Sequence, residues 1–487
     1  MNEEKEYVSF KEFYELVESY NPEALPMVLK AYKFAEQKHA GKYRESGAPY
    51  ITHPLTVAYI LAEEHVDCHT LCAALLHDTV EDTDTTLDDI KREFNEDIAH
   101  LVDGVTKISN IDYMDKDELN YANLRKMLLS LFDDPRIMMI KLADRVHNMR
   151  TLKYKKKPEK REKKARETLK IFVPIADKLG MFKWKTELED LSFKELEVGK
   201  YLMCLEEQQK IINEYYEFLE IMMNKIRAAL NDKEIPAEVK SRIKNVYGIY
   251  RKRQEGKSIE DIYDLLAIKI MNDTVDDCYR TMGVVHSLYD PYNAVKDYIA
   301  YPKENLYQSL NTIVFGEKDR LVQARIRTIE MDKNNSNGLA SYWNLYHGEA
   351  KNKMIQTLET SFQFYKSLKD IDIENIDNEM FLNAASEELF QKQKTVYFGH
   401  RKLILPNTAS AIDFAFKTKP NEASKLVGVL VDNHFTDDIF SPLPPNSIVE
   451  LVTAENALGP NEEWLENAKT ATARLAINKQ LNKQKRK

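Results

Sequence analysis

The sequence predicts a multidomain protein: an all-α domain, then an α/β (α+β) domain, then a small unit of strands with one helix. Three observations carry this. At 487 residues the chain exceeds one ordinary core, and length alone suggests about three domains. Apolar residues recur at three- and four-residue spacings up to about residue 195, whereas short strand-like runs take over beyond Ile235-Pro236. A polar, acidic stretch, SLKDIDIENIDNEM (367–380), then sets off a last region in which strand and helix patterns alternate.

In the first domain, 1–195, the helical spacing runs through Met27-Ala31-Phe34-Ala35, Leu55-Ala58-Ala62 and Leu71-Ala74-Leu75. Asp133-Asp134-Pro135 is a helix start. Residues 196–235 continue helical, through Leu202, Leu205, Ile211, Phe218 and Met222, as a connector. In the second domain, 236–366, strands are expected at 264–270, 310–315 and 322–328, with helices between. A linker, 367–392, follows. The third domain, 393–455, reads as a hairpin (395–398 and 402–406), a helix (411–416) and two more strands (427–431 and 448–452), a β-grasp-like unit. A helical tail, 456–487, ends in the basic run KQLNKQKRK.

Composition excludes several classes. Charged residues at 31% beside hydrophobic ones at 43% describe a well-charged globular protein. No run of about 18 apolar residues suggests a membrane span, and the acidic start MNEEKE is unlike a signal peptide. Cys68, Cys72, Cys204 and Cys278 are too few for a disulfide framework, which points to a reduced, cytoplasmic compartment. A net charge of −9 argues against DNA as a partner. The segment 153–166 (KYKKKPEKREKKAR) nevertheless holds nine Lys/Arg against two Glu. It reads either as a solvated helix face or as a cationic rim that attracts a polyphosphate.

Four residues in three segments suggest a divalent-metal site: His53, His77-Asp78 and Asp144. Imidazole and carboxylate together suit Mn²⁺, Fe²⁺ or Zn²⁺ and leave positions open for water and a substrate phosphate. If 71–82 is one helix, Glu81 lies one turn past His77 and Asp82 one turn past Asp78, so a carboxylate pair shares a wall with the metal pair. Asp144, Asn148 and Leu152 share one face at four-residue spacing. His65 and His147 read as ordinary structural or surface histidines.

The segments HAGKYRESGAPYITHP (39–54), AALLHDTVEDT (73–83), LADRVHNMRTL (142–152), KDYIAYPKENLYQSLNT (296–312) and LPNTASAIDFAF (405–416) resemble, in order, the long RelA/SpoT homologues that make and degrade the alarmone (p)ppGpp. The resemblance spans nearly the whole chain. It implies an HD-type hydrolase domain, a nucleotidyltransferase-like synthetase domain and a TGS domain. It further implies that His53, His77, Asp78 and Asp144 hold Mn²⁺, that Glu81 and Asp82 assist hydrolysis, and that Arg44, Asn148, Thr151 and Leu152 lie against base and ribose. Glu45 and Ala48 depart mildly, standing where a basic residue and a Glu are frequent.

The second domain departs further. Asp264 matches the family's metal-binding Asp, and Lys296, Lys303 and Tyr307 match phosphate- and guanine-contacting positions. The family's Glu-Val-Gln-Ile-Arg-Thr, however, reads Gln323-Ala324-Arg325-Ile326-Arg327-Thr328, replacing the catalytic carboxylate by an amide. The arginine of Gly-Arg-Phe is lost at Asn293-Ala294-Val295, and a histidine is replaced by Asn311. These changes suggest a degenerate synthetase in which Mg²⁺ does not support synthesis. In the TGS-like region a histidine position falls at Lys419, and no later modules follow Trp464. Both argue against ribosome- or tRNA-coupled activation and leave a protein partner through the TGS domain open.

The expected function is therefore a Mn²⁺-dependent (p)ppGpp 3′-pyrophosphohydrolase. One rival is a bifunctional synthetase/hydrolase. The other is a non-catalytic alarmone sensor, against which the six intact hydrolase residues speak.

Overall fold

The computed structural model describes residues 6–109, 134–259, 262–303, 305–317, 320–343 and 393–485. The linker expected at 367–392 and the end of the domain expected to reach 366 lie outside them. The described residues fall into two compact units, one built from the chain up to 343 and one from 393 onward.

The first unit begins with helices α1 (Phe10–Tyr20), α2 (Leu25–Lys38), α3 (Thr52–Ala62), α4 (Cys68–Leu76), α5 (Thr79–Asp82), α6 (Leu87–Glu93) and α7 (Glu96–Ser109). It continues with α8 (Pro135–Arg150), α9 (Pro158–Glu167), α10 (Val173–Lys178) and α11 (Phe182–Leu196). Three of these, α3, α4 and α8, are buried nearly all round: α3 and α4 are largely apolar, whereas α8 buries Arg136, Lys141, Asp144 and Arg145 against partners. Caps define their starts. The Asp67 carboxylate accepts from the N–H groups of His69 and Thr70 at the head of α4. At the head of α8, Asp134 accepts from the Arg136 N–H and Pro135 takes the first position. The fully buried Asp134 also pairs with the Arg136 guanidinium at 2.7 Å, which reaches Asp97 on α7 at the same distance. One arginine thus anchors α8 to α7.

The segment 71–82 is not one helix. It breaks at His77-Asp78, between α4 and α5. His77 Nδ1 donates to the Ala74 carbonyl at 2.8 Å and Thr79 Oγ1 to the Leu76 carbonyl at 2.6 Å. Side chains thereby satisfy carbonyls at the helix end, and the chain turns.

A 35-residue helix, α12 (Val198–Asp232), leads into a five-stranded sheet. Its strands are β1 (Ala237–Ile243), β2 (Leu266–Asn272), β3 (Lys296–Asp297), β4 (Leu310–Phe315) and β5 (Leu321–Thr328), in the order β1-β2-β5-β4-β3. The pair β2–β5 is parallel and the others antiparallel, so the sheet is mixed. Helices α13 (Val246–Gln254), α14 (Val275–Leu288), α15 (Ile329–Asn337) and α16 (Leu339–Trp343) accompany it. The region read as a connector is more than that. Phe218, Met222, Met223, Ile226 and Leu230 of α12 share a core with Ile268, Ile270 and Ile326 of the sheet, so half the helix is a structural layer of this domain.

Helical and sheet parts meet closely. Leu339 N–H donates to the Leu179 carbonyl at 2.9 Å. Beside it Gly338 has φ +51°, and an added Cβ would sit 2.2 Å from the Leu179 oxygen. Lys183 on α11 reaches Glu63 at 3.2 Å and Glu64 at 3.3 Å, both just beyond α3.

The second unit holds a hairpin, β6 (Gln393–Phe398) and β7 (Arg401–Pro406), then α17 (Ala411–Thr418) and a three-stranded sheet. That sheet is β8 (Leu426–Val431), β9 (His434–Thr436) and β10 (Val449–Thr453), in the order β10-β8-β9, with β9 absent from the expected set. A parallel bridge between Tyr397 and Ile448 joins hairpin to sheet. The tail is not an appendage, because Trp464, Ala468, Ile477 and Leu481 of α18 (Glu462–Asn467) and α19 (Ala471–Lys485) and the turn between them share a core with Phe414, Phe416 and Val429. The buried Asp413 carboxylate fixes it by accepting from the N–H groups of Lys469 and Thr470. Among the described residues no helix is long and apolar enough to cross a membrane, and all four cysteines are free thiols.

Gly338→Ala is expected to cost about 1–3 kcal/mol, because the opposing atoms are backbone and cannot yield. Gly199→Ala on α12, where a Cβ meets nothing within 4 Å, is expected to be neutral or to stabilise by about 0.5–1 kcal/mol. Thermal melts of both variants measure this; equal melting temperatures would refute the close joint.

Candidate functional site

His53 from α3, His77 and Asp78 from the break after α4, and Asp144 from α8 converge inside the helical domain, all buried. His53 Nε2 lies 3.3 Å from Asp144 Oδ1 and 3.4 Å from Asp78 Oδ2. His77 Nε2 lies 3.0 Å from Asp78 Oδ1. One ligand atom each from His53, His77 and Asp144 fall within 4.8 Å of one another.

The set fits a divalent cation on three grounds. His77 Nδ1 is engaged with a backbone carbonyl, so Nε2 is the ring atom left for the centre, where it meets Asp78 without hydrogen-bond geometry. Two buried carboxylates face each other across two imidazoles, a charge arrangement that calls for a positive ion. The donors are nitrogen and oxygen in the proportion that Mn²⁺, Fe²⁺ or Zn²⁺ accept. Burial pulls the His77 imidazole down, but Asp78 and Asp144 more than offset that and hold it at about 9. Burial pushes Asp78 up, and His77 draws it well below the usual carboxylate range. Asp144 behaves likewise, with Lys141 as its main countercharge.

Asn148, expected against base and ribose, joins neighbours that the sequence did not single out in holding these ligands in place. Tyr50 OH donates to Asp78 Oδ2 at 2.9 Å. Buried Lys141, one turn before Asp144, donates to its Oδ2 at 2.9 Å, and Asn148 Nδ2 donates to Oδ1 at 2.5 Å. His39 is buried against the Tyr50 ring at 4.6 Å. His147, read as an ordinary structural or surface histidine, is fully buried and its Nδ1 lies 2.6 Å from His53 Nδ1. Tyr50 and His39 belong to the same motif as His53, and Lys141 and His147 flank Asp144; that proximity was the available signal.

Glu81 and Asp82 sit at the exposed mouth, on α5. Burial and the neighbouring Asp78 raise Glu81 to about 7. On the opposite wall Arg44 donates to Asn148 Oδ1 at 3.4 Å and Thr151 Oγ1 at 3.5 Å, with its guanidinium 5.6 Å from the Tyr50 ring centre. Leu152 is buried beneath. In the basic run Lys153 pairs with Glu6, Lys155 with Glu45 and Arg161 with Glu195, which reduces the free charge of the expected rim.

A second cavity, of about 640 Å³, opens over the mixed sheet. Asp264, Lys296, Lys303, Tyr307 and Gln323 all line it, with residues of α11 closing one side. Nine Lys or Arg side chains face two Asp side chains there. Both acids are engaged, Asp264 with Lys244 and Asp332 with Lys269. Gln323 Oε1 accepts from Arg325 Nε at 2.7 Å. Tyr307 OH contacts Asn311 at 3.4 Å, and Lys303 lies over the Tyr298 and Tyr307 rings.

Comparison with known proteins places the chain. An HD domain model matches residues 31–182, and the region found in RelA/SpoT proteins matches 241–350. The chain is 38% identical to the guanosine-3′,5′-bis(diphosphate) 3′-pyrophosphohydrolase of Aquifex aeolicus, over 98% of this chain and 68% of that protein. It is 37% identical, with the same coverage, to the bifunctional (p)ppGpp synthase/hydrolase SpoT of Escherichia coli K12. A GTP pyrophosphokinase of Streptomyces antibioticus is 37% identical over 95% of this chain and 56% of its own length. With motifs, fold and identity over nearly its whole length in agreement, the chain belongs to the RelA/SpoT family.

Proposed function

We propose that the helical domain hydrolyses (p)ppGpp, releasing the 3′-diphosphate as pyrophosphate and leaving GDP or GTP. The observation that carries this is the convergence of His53, His77 and Asp144 ligand atoms within 4.8 Å of one another, with Asp78 alongside, in a chain whose relatives are named for this hydrolysis. His53, His77, Asp78 and Asp144 would hold the ion, with Mn²⁺ our choice among the metals the donors accept. Once bound, such an ion lowers the pKa of a coordinated water and neutralises phosphate charge.

The chain's own residues do the rest. Tyr50 and Lys141 hold Asp78 and Asp144 in orientation. Arg44, braced by Asn148 and Thr151, presents a planar cation for the guanine face or a phosphate, over the apolar floor of Leu152. Glu81, raised to about 7, suits proton abstraction from water near neutral pH, with Asp82 alongside. The free thiols support a cytoplasmic setting.

We further propose that the sheet domain does not synthesise. Pyrophosphoryl transfer needs Mg²⁺ on carboxylates and a group that takes the hydroxyl proton. Gln323 is an amide whose oxygen already accepts from Arg325, and Asp264 is paired with Lys244. The hairpin, helix and sheet of the second unit support reading 393–455 as a TGS domain, and a protein partner is the binding role we favour for it.

Turnover of ppGpp with Mn²⁺ is expected to vanish with EDTA and in Asp78→Ala; activity surviving both would refute the site. Glu81→Gln is expected to lower kcat by ~10²–10⁴-fold. Glu81 acts ionised, so activity should fall as pH drops through its pKa, which lies at about 7 in the bare site and is moved lower by a cation nearby. The acid limb should be lost in Glu81→Gln. With ATP, GDP and Mg²⁺ no ppGpp should form, and Gln323→Glu alone should not restore it, because Asn293-Ala294-Val295 and Asn311 remain; synthesis by the unaltered chain would overturn this reading.

A further inference from the structure

His147 lies one turn from the end of α8, is 0% exposed, and touches polar atoms with both ring nitrogens. Its Nε2 lies 2.9 Å from the Glu6 backbone carbonyl, and its Nδ1 lies 2.6 Å from Nδ1 of His53. A carbonyl oxygen only accepts, so His147 Nε2 carries a hydrogen. A neutral imidazole carries one ring hydrogen, so with that hydrogen on Nε2 the Nδ1 is a lone pair. A contact of 2.6 Å between two ring nitrogens needs one hydrogen between them. That hydrogen therefore belongs to His53 Nδ1. His53 Nε2, facing Asp78 and Asp144, is left as the bare lone pair that a metal ion requires.

We propose that His147 is a positioning residue for the metal centre: the Glu6 carbonyl, His147 and His53 form a relay that fixes His53 as its Nδ1–H tautomer and directs Nε2 at the ion. The inference rests on the reading of His53 as a ligand and deepens it. Each link follows from what its neighbour can accept or donate. The relay also gives the segment before α1 a role in the site. The Glu6 carboxylate pairs with Lys153 and accepts from Tyr154 OH at 2.9 Å, and the Tyr7 ring stands edge-on to His147 at 6.2 Å. These contacts pin the one carbonyl that sets the direction of the relay. On the opposite side of the centre His77 achieves the same orientation by a shorter route, Nδ1 to the carbonyl of Ala74. Both histidines thus answer to a backbone carbonyl, one directly and one through His147.

Three preparations test this on the full chain: the unaltered protein, His147→Asn and His147→Leu. The Asn side-chain oxygen can stand in for the Nδ1 acceptor, whereas Leu removes it. Mn²⁺ binding by calorimetry is expected to weaken ~10–100-fold in His147→Leu and clearly less in His147→Asn, the range typical for loss of a ligand's outer partner. Histidine-labelled protein saturated with Zn²⁺ should show the His53 hydrogen on Nδ1 by ¹⁵N NMR. Melting temperatures in EDTA report whether the variants fold. Equal losses in the two variants, or unchanged affinity in a folded His147→Leu, would overturn the relay, as would a hydrogen on His53 Nε2 in the NMR spectrum. The ligand reading itself fails separately, in the event that the unaltered chain binds neither Mn²⁺ nor Zn²⁺.

Discussion

Two carboxylates, Asp78 and Asp144, are held within reach of His53, with His77 beside Asp78, inside a shell of helices buried nearly all round. The rest of the helical domain depends on that constraint. Removing a carboxylate from water costs several kcal/mol after relaxation, and two that face each other add mutual repulsion. The chain answers with donors aimed at particular oxygens: Tyr50 at one carboxylate, Lys141 and Asn148 at the other. None of them reaches the point between the four ligands. That point is left to a cation, and α3, α4 and α8 are packed too completely to swing the carboxylates out to solvent.

How much of this was legible in the sequence depended on whether the partners were local. The start of α8 at Asp134-Pro135 could be read directly, because a cap and a first-turn proline act on their own helix. The four ligand residues could be singled out by residue type and motif, although their convergence is a tertiary fact. The break after Leu76 could not be foreseen, since the run from Leu71 to Asp82 has helical spacing throughout. What ends the helix is competition from His77 and Thr79 for its last carbonyls. Longer reaches were opaque. Arg136 meets Asp97 across 39 residues, and His147 meets the Glu6 carbonyl across 141. The tail is helical as its sequence suggests, but its polar composition hides the few residues, Trp464, Ala468 and Ile477, that complete a core.

The sheet domain shows the opposite electrostatic imbalance. Its cavity keeps nine cations against two acids. Burial and neighbouring arginines draw Arg242 down to about 10, and burial lowers Lys303 and Arg327. Like charges gathered in a cleft oppose folding, and an anion relieves them. In a magnesium-dependent transferase the carboxylates have metal ions to hold. Here Asp264 is neutralised by Lys244 within the protein, and Gln323 has no charge to offer.

The two sites therefore differ in what each lacks. In the helical domain an excess of buried carboxylate makes a cation part of the structure, and with it a route to an activated water. In the sheet domain an excess of Lys and Arg suits a polyanion, and the two lining carboxylates, Asp264 and Asp332, are each paired with a lysine. α11 bears on both, because Phe182, Lys183 and Thr186 line the cationic cavity while Lys183 also pairs with Glu63 and Glu64 at the end of the helix that carries His53. Burial keeps the Glu64 carboxyl above its ordinary pKa despite that lysine. Gln323 presents an amide to the cavity, while this connection needs only charge and packing.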